Sequence, residues 1–245
     1  MSAPWVMVGL ETSGPVGSVA VAVGGSVRAR TFLGEPGAHA AGLVPALEVV
    51  LREAGVARAA VDAVAVGAGP GSFTGLRVAA AAGKGLAHAL GVPLWAISSF
   101  LAATLTEEAL PGDAGPWALA RDAVGMHLHT RYLLFDARGD RVFAAAYRLT
   151  GGLPRELRSP RFARLDEVLA DEELAGAGFC GDGANRHAPR LRSEGRLVLP
   201  PPLGFPSADG LLRVLALDPD RPPLSDPGGW EPDYLRASSA ERERR

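Results

Sequence analysis

The feature that most constrains the fold of this chain is an order of elements that occurs twice. In the first half, three short apolar segments separated by tight turns precede an amphipathic segment and then alternating strand and helix patterns. The second half repeats this order. Each half therefore predicts βββαβαβα, an antiparallel meander that leads into parallel strands covered by helices. The predicted elements lie at 5–11, 18–23, 26–33, 41–54, 61–67, 75–90, 93–97 and 99–110 in the first half and at 116–124, 127–135, 141–149, 164–174, 175–181, 186–195, 196–200 and 207–218 in the second.

A doubled βββαβαβα order is similar to the layout of the actin-like, sugar-kinase and Hsp70 superfamily, which has a ribonuclease H-like fold. We therefore predict an α/β protein with two lobes, at 1–110 and 111–236, followed by a charged tail at 237–245. A single α/β domain with an unrelated tail is the alternative. The arginine-bearing segment 151–162 is interpreted as a solvated loop.

Composition and charge exclude several classes of protein. A net charge of −2 argues against a chain that grips nucleic acid by itself, because phosphate neutralisation needs a basic face. The single cysteine, Cys180, favours a reducing compartment. The apolar run near the N-terminus is too short for a signal peptide, and the segment 78–97 is too polar to span a bilayer. We expect a soluble, cytoplasmic protein without a membrane partner.

The segment GPGSFTGLR at residues 69–77 lies between a predicted strand and a predicted helix, as a phosphate-binding loop would. It does not match either common glycine motif. A Walker loop fails because Gly85 replaces the hydroxyl residue after Lys84, and the dinucleotide pattern fails because Gly75 comes one position late. A tight strand-to-helix turn is the simpler interpretation, and a phosphate site at the start of the helix stays open.

A second set of polar residues ends the first predicted strand, in the segment LETSG. In sugar-kinase-like ATPases an acidic residue followed by hydroxyls at this point holds metal and phosphate, whereas the same residues can also form only a turn. We predict a vestigial nucleotide site here, without catalytic or metal-binding residues, since no histidines are spaced for zinc and no G-x-S-x-G elbow occurs. The predicted site consists of Glu11, Thr12, Ser13, Gly71, Ser72, Thr74 and Gly75.

The predicted helix 75–90 is apolar on two faces, whereas a helix that covers one sheet needs only one. Gly83 and Gly85 inside it cost about 1 kcal/mol each relative to alanine, a cost that close approach of another backbone would explain. We interpret this helix as lying between its own sheet and a second surface, either another subunit or the other lobe. Another subunit is the favoured interpretation.

The stretch GAGPGSFTGLRVAAAAGKGLAHALGVPLWAISSF, residues 67–100, resembles the signature of the bacterial TsaB (YeaZ) family. The segments LETSGPVGSVAVA, HAAGLVPALEVVL, CGDGA (180–184) and PDYLR (232–236) support the resemblance. It implies an actin-like fold and a non-catalytic role in making N6-threonylcarbamoyladenosine at position 37 of tRNAs that read ANN codons. Two segments depart from the family pattern: ETS replaces DTS at Glu11, and 121–129 lacks the arginine, glutamate and tyrosine expected there.

The resemblance also implies partners. Family members pair with the catalytic homologue TsaD and with the ATPase TsaE, and a homodimer is expected for the chain alone. We expect tRNA to bind only through the complex, no cofactor to be held tightly by the lone chain, and ATP or ADP with Mg to bind at the joint with partners. No peptidase activity is expected. The implied pairing surface lies on helices 41–54 and 75–90, and we predict contacts at Leu43, Leu47, Leu76, Ala79, Gly83 and Leu86.

A different class of function is kept as an alternative. The chain would then be a small-molecule kinase or ATPase of the same superfamily that acts on its own. Glu11, Thr12 and the loop 69–77 would form its nucleotide site.

Overall fold

The computed structural model describes residues 5–33, 39–106 and 129–235. These residues form two compact units. One unit contains the described residues up to 102 together with 207–235, and the other contains those between 103 and 206. In each unit, helices pack against a five-stranded sheet.

The strands and helices alternate in nearly the predicted order. The first half contains β1 (Val6–Glu11), β2 (Ser18–Val23), β3 (Ser26–Phe32), α1 (His39–Glu53), β4 (Ala63–Gly69), α2 (Phe73–Leu90), β5 (Leu94–Ser98) and α3 (Ser99–Leu105). The second half contains β6 (Thr130–Asp136), β7 (Arg141–Arg148), β8 (Arg155–Arg164), α4 (Leu165–Leu169), β9 (Gly178–Cys180), α5 (Asp182–Arg186), α6 (Ala188–Ser193), β10 (Leu197–Val198) and α7 (Ala208–Leu217).

The two sheets share one topology. Their strand orders are β3-β2-β1-β4-β5 and β10-β9-β6-β7-β8. In each, the first strand pairs antiparallel with the second and parallel with the fourth. Counted from its own first strand, each sheet therefore reads 3-2-1-4-5. The predicted α/β class with a duplicated βββαβαβα order is confirmed.

The second meander is built from different residues than predicted. The predicted strand 116–124 lies outside the described residues. The third strand is β8, formed largely by the segment 151–162 that was interpreted as a loop, and it pairs with β7 from Arg148↔Arg155 to Arg141↔Arg164. That interpretation was wrong because β8 is an edge strand, and an edge strand half exposed to water can be rich in charged residues.

The last helix belongs to the first unit. Helix α7 packs on β1 and β2, and the N–H of Ala208 donates to Oγ of Ser18 at 2.9 Å. Gly9 makes this packing possible, because a Cβ there would lie 2.7 Å from the carbonyl oxygen of Ala208. The predicted second lobe of 111–236 is therefore corrected: the second unit ends at Pro206.

Helix α2 is set by local signals at both ends. The side chain of Ser72 accepts a hydrogen bond from the N–H of Gly75, which caps the first turn. Gly91 ends the helix in the left-handed conformation at φ 67°, where glycine has no Cβ penalty. The strand before the helix, β4, is buried along its whole length, as expected for a parallel strand covered on both faces. Among the helices within the described residues, none is long and apolar enough to cross a membrane.

Candidate functional site

The carboxylate of Glu11 joins three segments of the first unit. Glu11 is fully buried at the end of β1. One of its oxygens accepts a hydrogen bond from the N–H of Ser13 at 2.6 Å, and the other accepts from Oγ of Ser99 at 2.9 Å. Ser99 Oγ in turn accepts from the N–H of Gly69 at 3.2 Å. The carboxylate therefore links the ends of β1 and β4 to the start of α3.

The surroundings of this carboxyl group disfavour its ionised form. Burial raises the pKa of Glu11 above its usual value, although hydrogen bonds from Ser13 and Ser99 act in the opposite direction. A Cβ at Gly67 would overlap the carboxylate oxygens, so glycine is required beneath it. Glu11 is thus in close contact with Ser13, Gly67 and Ser99 of its own chain.

The loop before α2 lies directly on the residues that follow β1. The hydroxyl of Thr12 donates to the carbonyl of Gly75 at 2.6 Å, and the N–H of Ser72 donates to the carbonyl of Ser13 at 2.8 Å. A Cβ at Gly75 would overlap the carbonyl oxygen of Thr12, and one at Gly71 would lie 2.5 Å from that of Ser13. The glycines of GPGSFTGLR thus allow two backbones to touch.

The predicted nucleotide-site residues therefore come together, and the Glu11 carboxyl and Thr12 hydroxyl are bonded within the chain, whereas the buried Ser13 hydroxyl has no hydrogen-bond partner among the described residues. Glu11, Thr12 and Ser13 are almost completely buried, whereas Ser72 and Thr74 are exposed. The carboxylate and the Thr12 hydroxyl, which would have to meet magnesium and phosphate, are already bonded to Ser13, Ser99 and Gly75. These two groups are therefore not free to bind magnesium or phosphate. No group of three or more His, Cys, Asp or Glu residues able to hold a metal ion occurs in the part of the chain that the structure describes.

A groove of about 490 Å³ lies between α1 and α2. At this α1–α2 groove, Val44 is 60% exposed and Phe73 is 40% exposed. Large apolar side chains exposed beside a groove are typical of a surface that contacts another protein. The lining includes Ala40, Val44, Phe73, Arg77, Val78 and Ala81.

Four of the six predicted contact residues are buried in the chain itself, although one of them, Leu43, also lines the α1–α2 groove. A Cβ at Gly83 would overlap Cγ1 of Val66 in β4, so this glycine allows α2 to pack closely on its own sheet. The physical reason is that a helix buries its strongest apolar stripe on the sheet beside it. Leu47 and Leu86 are partly exposed, and their contact with a partner stays a prediction. The four buried residues are Leu43, Leu76, Ala79 and Gly83.

The residues exposed at the groove were not predicted from the sequence. Val44 lies one position after the inward-facing Leu43, and Phe73 begins α2 inside the glycine-rich loop. A signal was present for Val44, because it is a large apolar residue outside the inward stripe of α1. Phe73 carried no such signal, since its exposure depends on how the loop folds against Ser13.

Residues 221–235, which we call the C-terminal strap, run along the first unit next to β5 and α2. The N–H of Leu224 donates to the carbonyl of Leu94 at 2.8 Å, and that of Asp233 donates to the carbonyl of Ala68 at 2.8 Å. The ring of Tyr234 packs on Phe73, with centroids 4.9 Å apart. The strap thus reaches the edge of the α1–α2 groove.

Lys84 of α2 fixes the middle of the strap. Its ammonium donates to the carbonyls of Gly228 and Trp230 and lies 5.8 Å from the centroid of the Trp230 ring. Replacing Lys84 by methionine is expected to loosen the strap by about 1 kcal/mol, since hydrogen bonds to a charged donor are lost. Amide hydrogen exchange in 224–234 should then become about fivefold faster, measured by mass spectrometry. The matched control, His88→Met on the exposed face of the same helix, should leave this exchange unchanged; equal acceleration by both variants would contradict the assignment.

The second unit has its own glycine loop, at Gly181. Here φ is 99°, and a Cβ would lie 2.5 Å from the carbonyl oxygen of Leu134. Burial, together with the neighbouring charge of Asp136, raises the pKa of Asp182 to about 6, although backbone hydrogen bonds oppose this shift. Burial also raises the pKa of the Cys180 thiol to about 12, so this thiol is unreactive at neutral pH.

Comparisons with known proteins point in one direction. The model of the family described as TsaD, tRNA N6-adenosine threonylcarbamoyltransferase, matches residues 37–185, which is well over half of the chain. A crystal structure from Pseudomonas aeruginosa, described as similar to the peptidase YeaZ, is 29% identical with a TM-score of 0.73, and the match covers 96% of this chain and 100% of that one. YeaZ from Pseudomonas aeruginosa is 28% identical with a TM-score of 0.71, and the match covers 94% and 100%.

Curated relatives match over shorter stretches. The tRNA threonylcarbamoyladenosine biosynthesis protein TsaB of Haemophilus influenzae is 36% identical over 98 residues, which is 39% of this chain and 40% of the relative. An uncharacterised protein of Mycobacterium tuberculosis is 45% identical over 62 residues, 25% of this chain and 29% of the relative. The chain thus spans less than half the length of these curated relatives.

Three findings agree with one another: the matched topology of the two sheets, the glycine loop packed on the end of β1, and the similarity along nearly the whole chain to YeaZ and to a YeaZ-like protein of Pseudomonas aeruginosa. The fold is the predicted actin-like α/β fold. The chain belongs to the tRNA N6-adenosine threonylcarbamoyltransferase (TsaD) family and, within it, to the TsaB (YeaZ) proteins.

Proposed function

We propose that this protein is a non-catalytic subunit of the cytoplasmic assembly that makes N6-threonylcarbamoyladenosine at position 37 of tRNAs reading ANN codons. In this assembly it pairs with catalytic TsaD and with the ATPase TsaE. Its family membership supports the pathway. The observation that carries the pairing role is the α1–α2 groove, where Val44 and Phe73 present apolar surface to water.

The contacts of the polar residues support a role in binding rather than in chemistry. Glu11 and Thr12 are bonded within the chain, so neither side chain is free to act on a substrate. The threonylcarbamoyl transfer is assigned in this proposal to TsaD. In the absence of TsaD, a second copy of this chain would cover the same groove, giving the expected homodimer.

The alternative, a small-molecule kinase or ATPase acting alone, is disfavoured by the same contacts. Magnesium and phosphate would have to displace the hydrogen bonds of a fully buried carboxylate. Calorimetry of the isolated chain with ATP and magnesium separates the two proposals, because tight binding would support the alternative. Binding of ATP or ADP at the joint with partners concerns the assembly and stays a prediction.

The docking role is tested by placing a charge in the α1–α2 groove. Val44→Asp is expected to weaken binding of the TsaD protein of the same organism by at least about tenfold, because a desolvated, unpaired carboxylate is costly in an apolar contact. Binding is measured by calorimetry with both purified proteins. The fold should be unaffected, since Val44 is 60% exposed in the chain itself.

The matched control is Leu197→Asp, which makes the same kind of change at an apolar residue of the second unit that is 47% exposed. It should bind TsaD as the unaltered protein does. Unchanged binding by Val44→Asp, or equal weakening by both variants, would contradict docking through this groove.

A further inference from the structure

The pair of strands β7 and β8 concentrates positive charge in a chain that is acidic overall. Residues 141–164 contain six arginines and one glutamate, so this segment carries +5, whereas the whole chain has a formal net charge of −2. The arginines of β8 are spaced three residues apart, and Arg141 and Arg148 end the neighbouring strand. Part of this segment, residues 151–162, has the sequence pattern of a solvated loop.

Two of these arginines lie directly opposite each other. Arg148 at the end of β7 pairs in register with Arg155 at the start of β8, and both are exposed. Like charges directly opposite each other in an antiparallel pair destabilise a sheet. Folding alone therefore does not explain why two guanidinium groups occupy this pair.

Acidic residues pair with two of the other arginines in segment 141–164. Arg158 binds Asp171 and Glu173, and Arg164 binds Asp140. Neither Arg148 nor Arg155 has a carboxylate partner among the residues that the structure describes. Within the described residues, Arg148 and Arg155 are thus two exposed guanidinium groups without a neighbouring carboxylate.

Protection of an edge strand is one reason for charge at β8, but this edge has other protection. Pro160 removes a backbone donor from β8, and the β7–β8 register shifts between Ala144 and Tyr147. Such interruptions already discourage pairing with another chain. They leave the charges of Arg148 and Arg155 unexplained.

We propose that Arg148 and Arg155 form a contact site for the phosphate backbone of RNA. Guanidinium groups recognise phosphate through paired N–H donors, and two neighbouring arginines fit consecutive phosphates or both sides of a backbone turn. This inference rests on the proposed function, in which the RNA is the tRNA substrate of the assembly. With a net charge of −2 the chain binds RNA weakly by itself, and the site adds affinity and orientation within the complex.

The test uses the full chain and a fluorescently labelled, unmodified tRNA transcript. Fluorescence anisotropy at about 20 mM salt gives the Kd, and a salt titration gives the slope of log K against log[salt]. Arg148→Gln/Arg155→Gln is expected to raise the Kd at least about tenfold and to reduce the slope by about 1.4–1.8, since two phosphate contacts are lost at about 0.7–0.9 each.

The matched control removes the same charge elsewhere. Arg28→Gln/Arg192→Gln changes two other exposed arginines and should alter the Kd by less than about twofold. Equal weakening by both double variants, or no RNA binding by the unaltered chain, overturns the proposal. Competition by inorganic polyphosphate at the same phosphate concentration as effectively as by RNA also overturns it, because the site would then recognise any polyanion.

Calorimetry with TsaD separates this inference from the proposed function. Arg148→Gln/Arg155→Gln should bind TsaD normally, since both residues lie in the second unit and the α1–α2 groove lies in the first. Loss of RNA binding with normal TsaD binding supports both proposals. Unchanged RNA binding with normal TsaD binding rejects the RNA site alone, whereas failure of the unaltered chain to bind TsaD rejects the docking proposal.

Discussion

Replacing Gly83 by alanine is expected to lower the free energy of unfolding by about 2 kcal/mol, even though alanine favours a helix. The added methyl would overlap Cγ1 of Val66, a fully buried and β-branched side chain in β4. Valine has little rotamer freedom with which to give way, so α2 must move off its own sheet. Urea unfolding followed by circular dichroism would measure the loss as a lower midpoint at unchanged m.

Gly85, two residues further along α2, provides a matched comparison. A Cβ at Gly85 would meet nothing within 4 Å. Gly85→Ala should therefore raise the free energy of unfolding by about 0.5–1 kcal/mol, the usual gain from removing an exposed glycine inside a helix. Equal effects of the two substitutions, in either direction, would show that α2 does not pack on β4 through Gly83.

Replacing Glu11 by alanine is also expected to have a large effect, lowering the free energy of unfolding by about 3 kcal/mol. The substitution leaves the N–H of Ser13 and the hydroxyl of Ser99 without their acceptor at a buried position, and it opens a cavity. Glu11→Gln keeps the shape and an acceptor oxygen, so it should cost only about 1 kcal/mol. If the alanine variant unfolded at the same urea concentration as the unaltered protein, the carboxylate would not link these segments.

The contribution of Glu11 to the free energy of unfolding is also expected to depend on pH. The pKa of Glu11 is raised in the folded state. As the pH rises above 4.5, the ordinary pKa of a glutamate, the carboxyl group of Glu11 therefore loses its proton in the unfolded chain before it does so in the folded chain. The contribution of Glu11 to stability is therefore greatest below that value, falls as the pH rises towards the folded pKa, and is constant above it. The side chain introduced in Glu11→Gln does not titrate. The difference in free energy of unfolding between this variant and the unaltered protein should therefore shrink as the pH rises from 4.5 to the folded pKa, as measured by urea titrations at several pH values.

The doubled fold was predictable because its signals are local. The start of α2 at Ser72, its end at Gly91 and the buried apolar run of β4 all follow from capping, glycine conformation and hydrophobic runs. Strand β8 was not predictable in this way. It pairs with β7 on one side and borders solvent on the other. Its arginines therefore interrupt the alternation of apolar and polar residues that marks a half-buried strand.

The grouping of polar residues at the end of β1 was also predictable, but the groups to which they hydrogen-bond were not. Parallel strand ends and the loop before α2 meet at one edge of a sheet, so Glu11 and Gly75 were expected to be near each other. Whether the carboxylate faces a ligand or its own chain depends on Ser99, which is 88 positions away and supplies the donor. Likewise, the small size of Gly83 indicated that another element approaches α2 closely. It did not indicate whether that element is β4 of the same chain or a helix of a partner.

Because Tyr234 contacts Phe73, the end of the described chain forms part of the edge of the α1–α2 groove to which a partner would bind. Shortening the protein before Tyr234 would uncover one side of the Phe73 ring, so truncation and association would be thermodynamically linked. A bound partner should in turn shield the strap from proteases, and a chain cleaved near Trp230 should associate with altered affinity even though no residue of α1 or α2 has changed.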